Sequence, residues 1–160
     1  MTSISHTDKT RFHTYVEDAK HCVSHLEFLF DNLGEHVELD YSVKSLEKGE
    51  AIYWRCLEQG IPPGLTDLNH FAQLLGQYLG ECVIHHTGAK WVLSEEPNAM
   101  FAQPCIAGYS EKAWERIYPV HTALNIQALP KTKPGFPGVH DRRVFAAKLE
   151  KAISILNHHR

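Results

Sequence analysis

One run constrains the fold more than any other. From Leu68 to His86, the apolar residues Leu68, Phe71, Ala72, Leu75, Tyr78, Leu79, Cys82 and Val83 recur at three- and four-residue steps. That is the period of an amphipathic helix with one buried face. Gly76 and Gly80 stand four residues apart inside it. A glycine in a helix costs about 1 kcal/mol against alanine, so the pair signals that a neighbouring element comes close to the backbone. A phosphate cradle is excluded, because the glycines lie within the helical period and not in a loop before a helix. Thr66 is the expected N-cap, and His86-Thr87-Gly88 ends the helix. Lys90 to Ser94 then reads as a strand and Met100 to Ala107 as its return, with Pro104 confining the second strand to an edge or a bulge.

The other elements form around this joint. Phe12, Tyr15, Val16, Ala19, Cys22, Val23, Leu26, Leu29, Phe30 and Leu33 predict one long amphipathic helix from Lys9 to Leu33, stopped at Gly34. His36 to Tyr41 alternates polar and apolar, as in a short strand or an extended approach. Ser42 or Asp40 caps a helix to Gln59, ended by Gly60-Ile61-Pro62-Pro63-Gly64. Residues 110–118 fit either a short helix or a third strand. Pro119 opens a short helix to Leu129, a Pro/Gly loop covers 130–140, and Asp141 caps a last helix, 141–158. The fold expected is α+β, with four to five helices packed on a small antiparallel sheet in a single domain, 1–160, preceded by a frayed leader, 1–8.

Composition narrows the function classes. The net charge is −3, with Lys and Arg dispersed, which disfavours nucleic acid as a partner. No apolar run is long enough to span a bilayer, and the start lacks the charged and apolar regions of a signal peptide. Cys22, Cys56, Cys82 and Cys105 form no CxxC pair, so a reducing cytoplasm is the expected setting. Twelve histidines make the charge sensitive to mild acid.

Few residues carry a chemical suggestion. His13, Glu17, His21 and His25 lie one turn apart, and His21 with His25 is a candidate metal pair; a solvated stripe explains them more simply. His85 and His86, near Cys82 and Glu81, are a second metal candidate, although histidines at a helix C-terminus also suit the helix dipole. Glu50 falls within an apolar face formed by Val43, Leu46, Tyr53, Trp54 and Leu57. A carboxylate there must be paired or protonated, with Lys90, Arg55, a tyrosine hydroxyl or a histidine as possible partners. No G-x-S-x-G elbow or locally paired cysteine supports nucleophilic catalysis, and no cofactor is implied.

Leu75-Gly76-Gln77-Tyr78-Leu79-Gly80-Glu81, followed by Gly88-Ala89-Lys90-Trp91, resembles the LGxYLGE…GGxW signature of small, largely uncharacterised bacterial α+β proteins, some of them immunity-like or cognate inhibitors of secreted toxins. Leu39-Asp40-Tyr41-Ser42 and Ile117-Tyr118-Pro119 extend the likeness, and Ala89 departs from it where a second glycine is usual. The resemblance implies a bacterial cytoplasmic protein whose work is protein binding, with no catalytic residues to carry over. Glu50, Tyr78, Glu81, Trp91, Glu95 and Glu96 are the ligand or interface candidates, with a basic partner suited to the acidic ones. The alternatives are a small-ligand or metal-binding protein, possibly a hydrolase, and a homodimer.

Overall fold

The computed structural model describes residues 3–60, 67–98, 100–112, 114–127 and 143–158. Its elements in chain order are α1 (His6–Ala19), α2 (Cys22–Asn32), α3 (Val43–Gln59), α4 (Leu68–Thr87), β1 (Lys90–Leu93), β2 (Pro104–Ala107), α5 (Pro119–Gln127) and α6 (Val144–His158). The architecture is mostly helical α+β, with six helices among the described residues where four to five were expected. Among those residues, no helix is long and apolar enough to cross a membrane.

The extra helix comes from a break that helical periodicity does not register. The first predicted helix stops at Ala19 and restarts at Cys22. At the join the bonds tighten to three-residue closures, with Lys20 N–H reaching Glu17 O at 3.3 Å and His21 N–H reaching Asp18 O at 3.0 Å. Ala19 and Cys22 are both buried on either side. The two-residue turn leaves α1 against α4 and the sheet while α2 packs on α4. The expected leader 1–8 holds the start of α1: Ser5 Oγ accepts from Asp8 N–H and Asp8 Oδ2 accepts from Ser5 N–H, both at 3.0 Å, a capping box that opens the helix at His6.

Helix α4 is the centre. Its residues from Phe71 to Val83 are buried except Gln73 and Glu81, so Leu74, Gly76, Gln77 and Gly80 are enclosed as well as the predicted face. A helix buried on nearly all sides is a core helix, and α4 touches the other five helices and β2. Asp67 is its N-cap, accepting from Asn69 N–H at 2.8 Å, in place of Thr66, which lies outside the described residues.

The sheet is shorter than expected. Trp91 pairs with Ile106 and Leu93 with Pro104, antiparallel. On the other side of β2, Ile106 exchanges two hydrogen bonds with Ile117, at 2.8 and 3.1 Å. The described residues of 110–118 therefore form neither a helix nor a full strand; they contribute one bridge. Because Ile106 has neighbours on both sides, β2 is not a simple edge. Pro104 is tolerated because it is the strand's first residue. Residues 36–41 form the extended approach and not a strand. The 130–140 loop and the expected cap Asp141 lie outside the described residues, and α6 begins at Val144.

Glu50 explains how α6 is held. It is completely buried, and its carboxylate accepts from Val144 N–H (2.7 Å), Phe145 N–H (3.0 Å), Ala146 N–H (3.0 Å) and Trp54 Nε1–H (3.1 Å). None of the partners proposed from the sequence is the one found. The first-turn N–H groups of a helix have no partner within the helix, and they lie at the positive end of its dipole. Glu50 thus caps α6 from another helix. Burial pushes its carboxyl above the ordinary range, and the three backbone donors and the Trp54 indole pull it back. Arg143 adds a surface tie between α3 and α6 by pairing with Glu47, at 3.2 Å, and with Glu150.

All four cysteines are free and buried. Burial raises every one of their thiols, that of Cys22 to about 12. Since the thiolate is the reactive form, native protein at pH 8 is expected to resist alkylation by iodoacetamide, whereas urea-unfolded protein takes up four equivalents, as intact mass would show. Rapid native labelling would contradict this placement.

Candidate binding site

The strongest candidate site is a cleft built from a stretch of one charge sign. Between Lys20 and Lys44 the chain has no Lys or Arg, yet it carries Glu27, Asp31, Glu35, Glu38 and Asp40. Glu27 and Asp31 are four residues apart, on one face of α2. The chain then reverses through Gly34 (φ 72°): Gly34 N–H bonds Asp31 O at 3.0 Å, and Glu35 N–H reaches back to Phe30 O at 2.9 Å. This is a Schellman ending, which needs the left-handed conformation that glycine adopts without steric cost.

The segment after it runs extended, burying Val37 and half-burying Leu39 while His36, Glu38 and Asp40 stay exposed. Alternation thus sends the acidic side chains outward while the apolar ones anchor the segment. The five carboxylates, with Phe30, Val37 and Leu39, line a cleft of about 620 Å³. Arg55 of α3 pairs with Glu35. Among the described residues, Glu27, Asp31 and Glu38 have no cationic partner. Beside Glu27, Phe28 is 69% exposed.

A polar clamp fixes the far end of the segment. Tyr41 is held at φ 66°, which is unusual for a residue with a side chain. Its N–H donates to Tyr78 Oη at 2.8 Å, and its carbonyl oxygen lies 2.8 Å from His86 Nε2, which must therefore carry the proton. Its ring stacks on His85 at 4.9 Å and 14°. Ser45 Oγ donates to Ser42 O at 2.8 Å, so at the 2.6 Å contact Tyr78 Oη is the donor to Ser45. Ser42 donates to Asp40 through both Oγ (2.5 Å) and N–H (3.1 Å), which holds the Asp40 carboxyl below its usual range. Asp40 is thereby kept ionised at the mouth of the cleft.

The predicted site residues fall into separate places. Tyr78, His85 and His86 come together, but around the Tyr41 backbone. Glu81 is half-buried; burial raises its carboxyl, and the Trp91 indole and Lys20 oppose that shift. The Trp91 N–H is buried and reaches hydrogen-bond geometry to no acceptor among the described residues. Glu95 and Glu96 are exposed between the strands, away from the acidic cleft. His21, in the α1–α2 turn, and His25, one turn into α2, are both exposed. Among the described residues, no group of three or more His, Cys, Asp or Glu side chains is placed to hold a metal.

A second concavity of about 440 Å³ lies between α1, α4 and α5, with Tyr15, Ala72, Gly76 and Leu124 in its wall. Glu27, Asp31, Glu35, Glu38 and Asp40 were not singled out from the sequence. The signal available was the absence of Lys and Arg between residues 20 and 44.

The family described as "Uncharacterised protein YwmA" matches residues 8–104. The chain belongs to this family. No curated protein and no solved structure matches it. The YwmA match runs from the first turn of α1 to the first residue of β2, so it includes the acidic cleft, the Tyr41 clamp and all of α4. The Ile117 bridge, α5 and α6 lie beyond it.

Proposed function

We propose that this YwmA-family protein is a protein-binding module of the cognate-inhibitor type, taking a basic segment of a partner protein into the acidic cleft. The observation carrying this reading is the set of carboxylates on one cleft with only Glu35 ion-paired among the described residues. Like charges held this close repel one another, and a cationic partner relieves that repulsion while steering encounter. Phe28, exposed and next in sequence to Glu27, supplies the apolar contact that an acidic surface alone lacks. Buried, unpaired cysteines suit work in a reducing compartment, the bacterial cytoplasm.

Glu50, Tyr78 and Glu81 line neither of the two clefts described above, and their contacts support packing more than ligand chemistry. The test is calorimetric titration with the protein encoded by the neighbouring gene. The double variant Asp31→Lys/Glu38→Lys is expected to weaken binding by at least about tenfold, with a smaller deficit at high salt. Equal affinity of the variant and the parent protein would sink the assignment to this cleft.

A further inference from the structure

The molecule has a second charged cleft, of opposite sign and outside the family match. After residue 100 the chain carries nine Lys and Arg against four Asp and Glu. Several of these cations line a cleft of about 630 Å³ between the 109–117 segment and α6. Lys148, Lys151, Ala152 and Ile155 follow helical spacing, so α6 turns one face with two lysines toward it. Lys112 and Arg116 approach from the other wall.

The carboxylates in this cleft do not neutralise the lysines. Among the described residues, neither Lys148 nor Lys151 has an acidic group within salt-bridge distance. Glu115 instead accepts from Ser110 Oγ at 2.8 Å. Lys148 is half-buried, and desolvation and then the neighbouring Lys151 lower its pKa. A partly desolvated cation beside a second cation disfavours the charged state, and an anion binding between them offsets that cost.

The second wall supplies a ring. Trp114 is 73% exposed, more than any other large apolar side chain among the described residues, with the Lys112 ammonium 5.4 Å from its ring centre. An exposed indole beside unneutralised lysines fits a ligand that combines a flat ring with phosphate. We propose that the cleft between residues 109–117 and α6 binds a phosphate-bearing small molecule with a planar ring, with Lys148 and Lys151 holding the phosphates and Trp114 stacking on the ring.

ATP is the probe, with inorganic tripolyphosphate as the ring-free control, read by calorimetry and by iodide quenching of Trp114 fluorescence on the full chain. ATP is expected to bind about tenfold tighter than tripolyphosphate and to protect the indole from quenching, and the difference is expected to vanish in Trp114→Ala. Lys148→Met, which keeps the stem, is expected to lower ATP affinity about tenfold while leaving Tm unchanged or higher. Lys151→Glu, at an exposed position, is expected to lower affinity at least as far. No binding at millimolar ATP overturns the proposal, and so does affinity that survives both lysine changes. Equal affinity for the two probes overturns the ring contact. A lower Tm in Lys148→Met, with binding intact in Lys151→Glu, marks the lysine as structural and also overturns it.

Discussion

Glu50→Ala is expected to lower the unfolding free energy by about 4 kcal/mol, read as a shifted urea midpoint at constant slope, with a fall in Tm of roughly 10 °C. The loss exceeds that of one ordinary hydrogen bond because three N–H groups of the α6 first turn, together with the Trp54 indole N–H, lose their acceptor at once. Val144, Phe145 and Ala146 sit at a helix start packed into the core, where water cannot freely replace the carboxylate. Glu50→Gln is expected to cost less, about 2 kcal/mol, because its carbonyl still accepts while its amide presents hydrogens to donors. A stability change below about 1 kcal/mol for the alanine variant would show that α6 holds its position without Glu50.

Gly80→Ala is the second large effect, and its sign opposes helix propensity. On an isolated helix the change would stabilise by up to about 1 kcal/mol. Here the added Cβ would lie 2.2 Å from Trp91 Cζ2, 2.3 Å from Cη2 and 3.1 Å from Ile106 Cδ1. The indole must move as a rigid plate, and it is packed edge-on against Tyr15 at 5.2 Å. A net loss of about 3 kcal/mol is expected.

Gly76→Ala is the internal control. Its Cβ would meet Pro119 Cβ at 3.1 Å and the Pro119 carbonyl oxygen at 3.4 Å, a tight fit that needs shifts of a few tenths of an ångström. Its expected loss is about 1 kcal/mol. Combining Gly80→Ala with Trp91→Leu is expected to recover most of the clash, so the two changes are far from additive. Denaturant unfolding of Gly76→Ala, Gly80→Ala, Trp91→Leu and the double variant checks the set. Similar small effects at both glycines would remove the close-packing explanation.

The same residues show how far sequence reasoning reached. The glycine pair is read correctly as a contact point, because a glycine inside a strong helical period has few other physical explanations. Which neighbour comes close is not readable, since Pro119 and Trp91 reach α4 from later elements. Glu50 is recognisable as a carboxylate at an apolar position that requires a partner. The partner stayed hidden because it is backbone at the start of a helix 94 residues further on, and backbone N–H groups carry no sequence signature.

The α1–α2 break is hidden for a different reason. A two-residue turn between helices preserves the apolar spacing on both sides, so periodicity runs through it without interruption. The metal ladder from His13 to His25 depended on an unbroken helix, and the turn puts His13 and Glu17 on α1 while His21 and His25 stay together at the start of α2. The acidic cleft was only half legible: its charge bias lies in the order of residues from Lys20 to Lys44, but its concavity depends on the reversal at Gly34, which lays Glu38 and Asp40 opposite Glu27 and Asp31.

By itself, the sequence determined the local structure of this protein. The helical period of α4, the Ser42 cap, the strand after Gly88 and the proline that opens α5 follow from short-range sterics and apolar spacing, and short-range rules need only neighbouring residues. Tertiary structure decided what those elements do to one another. It buried α4 on nearly all sides, made Glu50 the cap of α6, used Tyr78 and His86 to hold the Tyr41 backbone, and gathered carboxylates and lysines into two clefts of opposite sign. Burial and electrostatic proximity are properties of distance in space, and the chain sets those distances only when it closes on itself.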